Sequence, residues 1–225
     1  MERILKFRNL LLVFLVTALD LLSGPFLLFV LKNRGIQIYS ATQIARYPAQ
    51  VLAQNLLLCI YPLVLFLICR RLLKESFGRA MCLRLVSPSQ WSWTGLLTML
   101  LVIAAALGIR RTGEPVKILY GAVYFVFAVG FAEEFLTHGV CVYLLKDFPW
   151  QIRYLLPNFL FALAHVLAFS GFRPVSGPMF LEFVQVQFWP LMASGCCLQL
   201  LKDRTGTLWV PVLIHGLMDF CMTYL

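Results

Sequence analysis

Charge is scarce in this chain, and acidic charge is the scarcer sign. Of 225 residues, 19 are Lys or Arg and 10 are Asp or Glu, so charged residues reach only 13%, against about 25% in ordinary soluble domains. Histidine occurs three times. Hydrophobic residues make up 61% and the mean hydropathy is +0.84. A chain with so little polar surface cannot wrap a water-facing core, which excludes a soluble domain. The expected fold class is all-α: a polytopic transmembrane helix bundle of about seven spans, forming a single membrane domain over residues 1–225 around a buried polar site. The seven cysteines show no CxxC or metal-finger spacing. Most fall in apolar runs and read as small buried hydrophobes. The net charge of +9 comes without a basic stripe interleaved with exposed aromatics, so no nucleic acid is expected as a partner. The lipid bilayer is. The first apolar run is too long for a signal-peptide core and has no small-residue cleavage site after it.

The apolar runs fall at about 10–31, 48–69, 91–109, 116–145, 154–169, 179–201 and 207–225. A Gly24-Pro25 pair marks a kink in the first. The loop at 70–90 is the most basic and has room for a short surface helix. Trp91 and Trp93 read as interface anchors at the edge of the third run. Basic residues alternate unevenly. The start of the chain (Arg3, Lys6, Arg8) and the loops at 70–90, 146–153 and 202–206 carry twelve, and the other side carries seven. That bias favours an integral membrane protein with a cytoplasmic N-terminus.

Against this background Glu133 and Glu134 stand out. Two adjacent carboxylates at membrane depth cost roughly 2.5–3.5 kcal/mol each on an insertion scale. A mere anchor would carry Leu there. On a helix Glu134 shares a face with His138, and Glu133 with Thr137. Glu133 lies 13 residues from Lys146, His165 lies 12 from Arg153, and His215 lies 11 from Arg204. At about 1.5 Å per residue all three sit roughly 16–20 Å from one face of the bilayer. Three helices thus offer polar groups at one level, as an assembled intramembrane site requires. Each histidine alone could equally well bond a neighbouring helix. Asp20 reads as a structural or cavity-facing acid, Glu182 as solvated, and Thr137 as a hydroxyl bonded to its own helix.

Glu133-Glu134-x-x-x-His138, Phe161-x-x-x-His165 and His215-x-x-x-Asp219 resemble the three motifs of the CAAX protease and bacteriocin-processing (CPBP) family of intramembrane endopeptidases. In that family they read EExxxR, FxxxH and HxxxN or HxxxD, in this order on successive helices. The stretch from Arg204 to Pro211 also resembles the family's approach to its last motif. The likeness covers about residues 116–225. Two positions depart from the common pattern: His138 stands where the family usually has Arg, and Asp219 where many members have Asn.

The resemblance implies a peptidase in which a glutamate-activated water hydrolyses a peptide bond of a membrane-associated protein or peptide. C-terminal signal processing is one such task. Glu133 would be the general base, with His165 holding or polarising the water. His215, with Asp219, would stabilise the oxyanion; the two are four residues apart and share a helix face, which lets Asp219 orient the ring. Glu134 and His138 would support the base, and Phe161 belongs to the second motif. No cofactor is implied. Two rivals stay open. A zinc protease could use the same Glu and His ligands, although HExxH is absent. A transporter or non-catalytic scaffold could use the groups for protons or ions, although no inverted repeat is visible.

Overall fold

The computed structural model describes residues 2–225, with side chains from Ile4 onward; the Arg3 side chain, counted above in the basic start, lies outside the described residues. The described residues form seven helical rods, called here the first to seventh helix in chain order. They are Glu2–Ser23 continued by Pro25–Asn33, then Pro48–Leu73, Pro88–Thr112, Pro115–Leu144, Trp150–Phe169, 177–205, and Trp209–Tyr224. The first bends at Gly24-Pro25, because Pro25 supplies no N–H to continue the ladder. A short helix, Phe77–Ala80, lies in the basic loop.

Five of the seven rods are long and apolar enough to cross a membrane by themselves. The sixth and seventh fall short for separate reasons. The sixth is diluted by Glu182, Gln185, Gln187 and Gln199. The seventh has only 16 residues, about 24 Å of helix, and is the central rod. It packs against the third, fourth and sixth helices and buries Val212, Leu213, Gly216 and Phe220. Elsewhere large side chains face outward to the lipid, as Leu56, Leu63, Leu72 and Val102 do. Trp91 and Trp93 are exposed near the start of the third helix. Of the cysteines only Cys141 is buried, and all seven are free. In lipid an outward thiol is tolerated as well as an inward one, so the apolar runs did not tell the two apart.

Glycine decides how closely the fourth and seventh helices meet. A Cβ added at Gly130 would lie 2.8 Å from the Val212 carbonyl oxygen, and one at Gly216 would lie 2.9 Å from the Phe125 carbonyl oxygen. The two backbones therefore touch where neither residue has a side chain, the usual means of close approach between helices in membranes. Nearer the chain end, Tyr224 lies over Gly121. The fourth helix is also wound wide. Tyr124–Phe131 and Phe135–Cys141 are π-helical, on either side of Ala132–Glu134. Wide turns of this kind recur at functional sites.

The surface helix seals one end. Phe77 and Met81 are buried against Phe135 and Leu208. The Leu208 N–H donates to the Cys82 carbonyl at 2.8 Å, and the Trp209 indole N–H to the Leu83 carbonyl at 3.0 Å.

Gly216→Ala is expected to destabilise the purified protein by about 1–3 kcal/mol, since the added methyl must push backbone rather than a flexible side chain. Gly95→Ala, at a position with nothing within 4 Å, should leave the melting temperature unchanged. Equal melting of both variants would show that the close crossing carries no strain.

Candidate active site

The crossing at Gly130 and Gly216 places Glu134, one turn along the fourth helix, beside His215. His215 Nδ1 lies 2.9 Å from Glu134 Oε1. The other carboxylate oxygen, Oε2, is in a short hydrogen bond with His138 Nδ1. Both partners are deeply buried, Glu134 at 1% and His138 at 1% exposure. Each oxygen of this carboxylate thus meets one imidazole.

Protonation can be read from the far end of the network. Asn158, fully buried on the fifth helix, has its amide nitrogen 2.7 Å from the Tyr154 carbonyl and 2.9 Å from Gln199 Oε1. A backbone carbonyl only accepts, so the Asn158 nitrogen faces it and its oxygen faces His138. His138 Nε2, at 3.0 Å from that oxygen, must then donate. With Nε2 carrying a hydrogen, one further proton is shared between His138 Nδ1 and Glu134. When it sits on the ring, His138 is an imidazolium and supplies the positive charge at the position where Arg is usual. Gly195 makes room for this, because a Cβ there would lie 2.3 Å from Asn158 Oδ1. Gln199 goes on to the Arg153 carbonyl at 3.3 Å, and Lys202 Nζ donates to the His138 carbonyl at 2.5 Å.

Glu133 points the other way. Neighbours on a helix diverge by about 100°, so while the Glu134 side chain is 1% exposed, that of Glu133 is 33% exposed. Glu133 Oε2 is buried without a hydrogen-bond partner. His165 Nε2 stands 3.9 Å from it and His215 Nε2 3.7 Å. Both gaps are too long for a direct hydrogen bond and suit one bridging water. His165 lies at the break in the fifth helix, and its Nδ1 is 2.9 Å from the Phe161 carbonyl. That nitrogen therefore donates, leaving Nε2 aimed at Glu133. The Phe161 ring stands edge-on to His165 at 4.6 Å and to His215 at 6.3 Å between centroids.

Asp219 Oδ2 lies 3.6 Å from His215 Nε2. The nitrogen that is firmly held is Nδ1, and Glu134 holds it. Orientation of the His215 ring, assigned to Asp219 from spacing, thus falls to Glu134 in the structure. Spacing along one helix could not show that a different helix had already claimed the ring.

A cavity of about 300 Å³ opens onto Glu133 and His165. Thr137 and Phe161 line it, as do Thr17 and Asp20 from the first helix. Asp20 is therefore cavity-facing. Glu182 is exposed. Among the described residues no three His, Cys, Asp or Glu side chains are grouped so as to hold a metal ion. Asn158, Gln199 and Lys202 were not singled out from sequence. Their signal was available, since polar residues in apolar spans are costly unless partnered, and Asn158 is seven residues, two turns, before His165.

Residues 115–221 match the family model described as Type II CAAX prenyl endopeptidase Rce1-like. Over these residues the chain is similar to the Rce1-like family. No curated protein and no solved structure matches the chain. The Rce1-like segment begins with the fourth helix and runs into the seventh, so it holds Glu133, Glu134, His138, Phe161, His165, His215 and Asp219 together. That family is one of membrane-embedded endopeptidases, and the likeness supports a protease acting on a membrane-associated protein.

Because Glu134 is so deeply buried, His138→Leu should cost about 3–5 kcal/mol by leaving a carboxylate without its partner. His138→Arg restores a donor and a charge and should keep more stability and more activity. Thermal melts and reporter cleavage of the two variants check this, and equal damage from both would assign His138 a different task.

Proposed function

We propose that this Rce1-like protein hydrolyses a peptide bond near the C-terminus of a membrane-associated protein, with Glu133 activating the attacking water. The observation that carries the reading is the gap around Glu133 Oε2, a buried unpartnered oxygen with two imidazole nitrogens at 3.7 and 3.9 Å. A water in that gap gives one hydrogen to Glu133 and the other to His165 Nε2. As its oxygen attacks the scissile carbonyl carbon, Glu133 takes the first proton. General-base assistance of this kind contributes about 10²–10⁴-fold.

His215 serves the other side of the reaction. Glu134 holds Nδ1, so Nε2 is the nitrogen turned toward Glu133. In its doubly protonated form His215 donates Nε2–H to the oxyanion, and a fixed donor in a site shielded from water is worth more than one in bulk solvent. Asp219 stands beside the same nitrogen as its polar neighbour. As the tetrahedral intermediate collapses, the proton on Glu133 passes to the leaving amine, which restores the carboxylate. Glu134, His138 and Asn158 touch no substrate in this scheme. They fix the His215 ring and keep the buried charges matched. The basic bias of the loops supports a cytoplasmic N-terminus.

Cleavage is measured on a prenylated CAAX reporter peptide, and by comparing protein C-termini in membranes with and without the chain. Glu133→Gln keeps the shape and removes the base, so turnover should fall about 10³-fold with an unchanged melting temperature. Wild-type turnover by that variant would remove the mechanism. Loss of cleavage on chelation, restored by zinc, would replace it with the metalloprotease reading.

Asp219→Asn keeps a polar side chain of the same size beside Nε2 and should stay within about tenfold of wild-type turnover. Asp219→Leu should lose considerably more, since a donor without any polar neighbour is poorly placed. Initial rates of the two variants on one reporter decide this, and an Asn variant as inactive as the Leu variant would show that the negative charge itself is needed.

A further inference from the structure

A second cavity lies behind the catalytic network, at the end of the bundle where the basic loops gather. It measures about 440 Å³ and is walled by the end of the fourth helix, the start of the fifth, the end of the sixth and the surface segment at Ala80 and Cys82. Three cations face it: Lys146, Arg153 and Lys202. Asp203 is the one acid in its wall, 3.9 Å from Lys202 Nζ and with its Oδ2 taken by the Tyr154 hydroxyl at 2.5 Å. Among the described residues neither Lys146 nor Arg153 has an ion-pair partner, and Lys146 lies over the Tyr143 ring at 4.8 Å. Arg153 Nε is buried with no hydrogen-bond partner. Three cations with one occupied carboxylate leave the cavity positive, and a buried guanidinium nitrogen without an acceptor is costly.

We propose that this cavity binds a phosphate-bearing anion. Donors arriving from the turn after the fourth helix and from the fifth and sixth helices suit the several oxygens of a tetrahedral anion better than the two of a carboxylate, and a guanidinium flanked by ammonium groups is the usual phosphate partner. The source favoured by position is a phospholipid headgroup. Trp150, 64% exposed and three residues before Arg153, is of the type that sits at the headgroup level. Basic pockets between membrane helices are known receivers of anionic headgroups. The site also touches the catalytic support directly. Gly139 lines it, and Lys202 reaches from its wall to the His138 carbonyl. A phosphate held there bridges the fourth, fifth and sixth helices, whose relative placement sets the Asn158–His138 contact.

The test is a thermal melt of the full chain in neutral detergent with phosphatidylglycerol, phosphatidylcholine or inorganic phosphate. Phosphatidylglycerol is expected to raise Tm by about 5 °C, and phosphatidylcholine is not. A rise with inorganic phosphate as well supports the same site with a soluble ligand as its source. The paired change Lys146→Gln and Arg153→Gln should abolish the rise. Lys146→Gln alone, at an exposed residue, should reduce it without affecting the fold. Arg110→Gln with Arg111→Gln, at the other end of the bundle, should leave it intact. No rise with either anion, or a rise that survives the Lys146 and Arg153 changes, overturns the proposal.

Discussion

Glu134 is the group the interior must satisfy first. A carboxylate at 1% exposure in an apolar bundle is tolerable only if both oxygens are partnered. His138 takes one and His215 the other. That demand fixes the rest. His215 must come from the central helix, and it reaches Glu134 only because Gly130 and Gly216 let two backbones touch. His138 must find an acceptor for its second nitrogen, and it finds Asn158, which fits only because residue 195 has no side chain. Three glycines and one asparagine thus serve a single buried charge, and they come from four different helices.

Satisfying Glu134 is also what leaves Glu133 unsatisfied. The two side chains diverge on the helix, so the pair divides into a carboxylate held by direct hydrogen bonds and one left without them. The free one looks into a cavity whose far wall belongs to the first helix, through Thr17 and Asp20. These residues precede the Rce1-like segment, which starts at residue 115. The candidate catalytic residues therefore lie within the matched segment, while the cavity they face is shared with the N-terminal half of the bundle. Variation in that half changes the shape of the cavity without touching the groups at its floor.

Much of this was legible in the sequence. Seven apolar runs became seven rods, and the Gly24-Pro25 pair marked the actual bend. The meeting of Glu133, His165 and His215 was anticipated by counting residues to the basic loops, because their counts of 13, 12 and 11 are close enough for the level to survive a change in winding. What counting cannot supply is azimuth across helices. The spacing of His215 and Asp219 showed a shared face, yet the ring nitrogen was claimed by Glu134 from another helix. Nor did the pattern reveal the π-helical stretches at Tyr124–Phe131 and Phe135–Cys141, because the positions of apolar residues do not distinguish a wide turn from an ordinary one. Asn158 and Gln199 were visible as polar residues at depth, but their partner was missing from any one-dimensional reading.

The exchange of Arg for His at position 138 can be understood through the same contacts. An arginine brings five donors and a charge that never leaves, and it could meet Glu134 with one edge and several carbonyls with the others. An imidazole brings two donors at most, in one plane. It can complete a buried carboxylate only if an acceptor stands on the line through its second nitrogen. Asn158 meets that condition, and its own amide hydrogens are in turn consumed by the Tyr154 carbonyl and Gln199. An imidazole at this position therefore works only together with its surroundings. It requires an acceptor on the fifth helix, a hole on the sixth and a second amide to close the chain. It also replaces a fixed charge by a proton shared between His138 and Glu134. The charge that supports His215 then depends on the hydrogen-bond chain behind it, which runs through Asn158 and Gln199 to the Arg153 carbonyl at the basic end of the bundle.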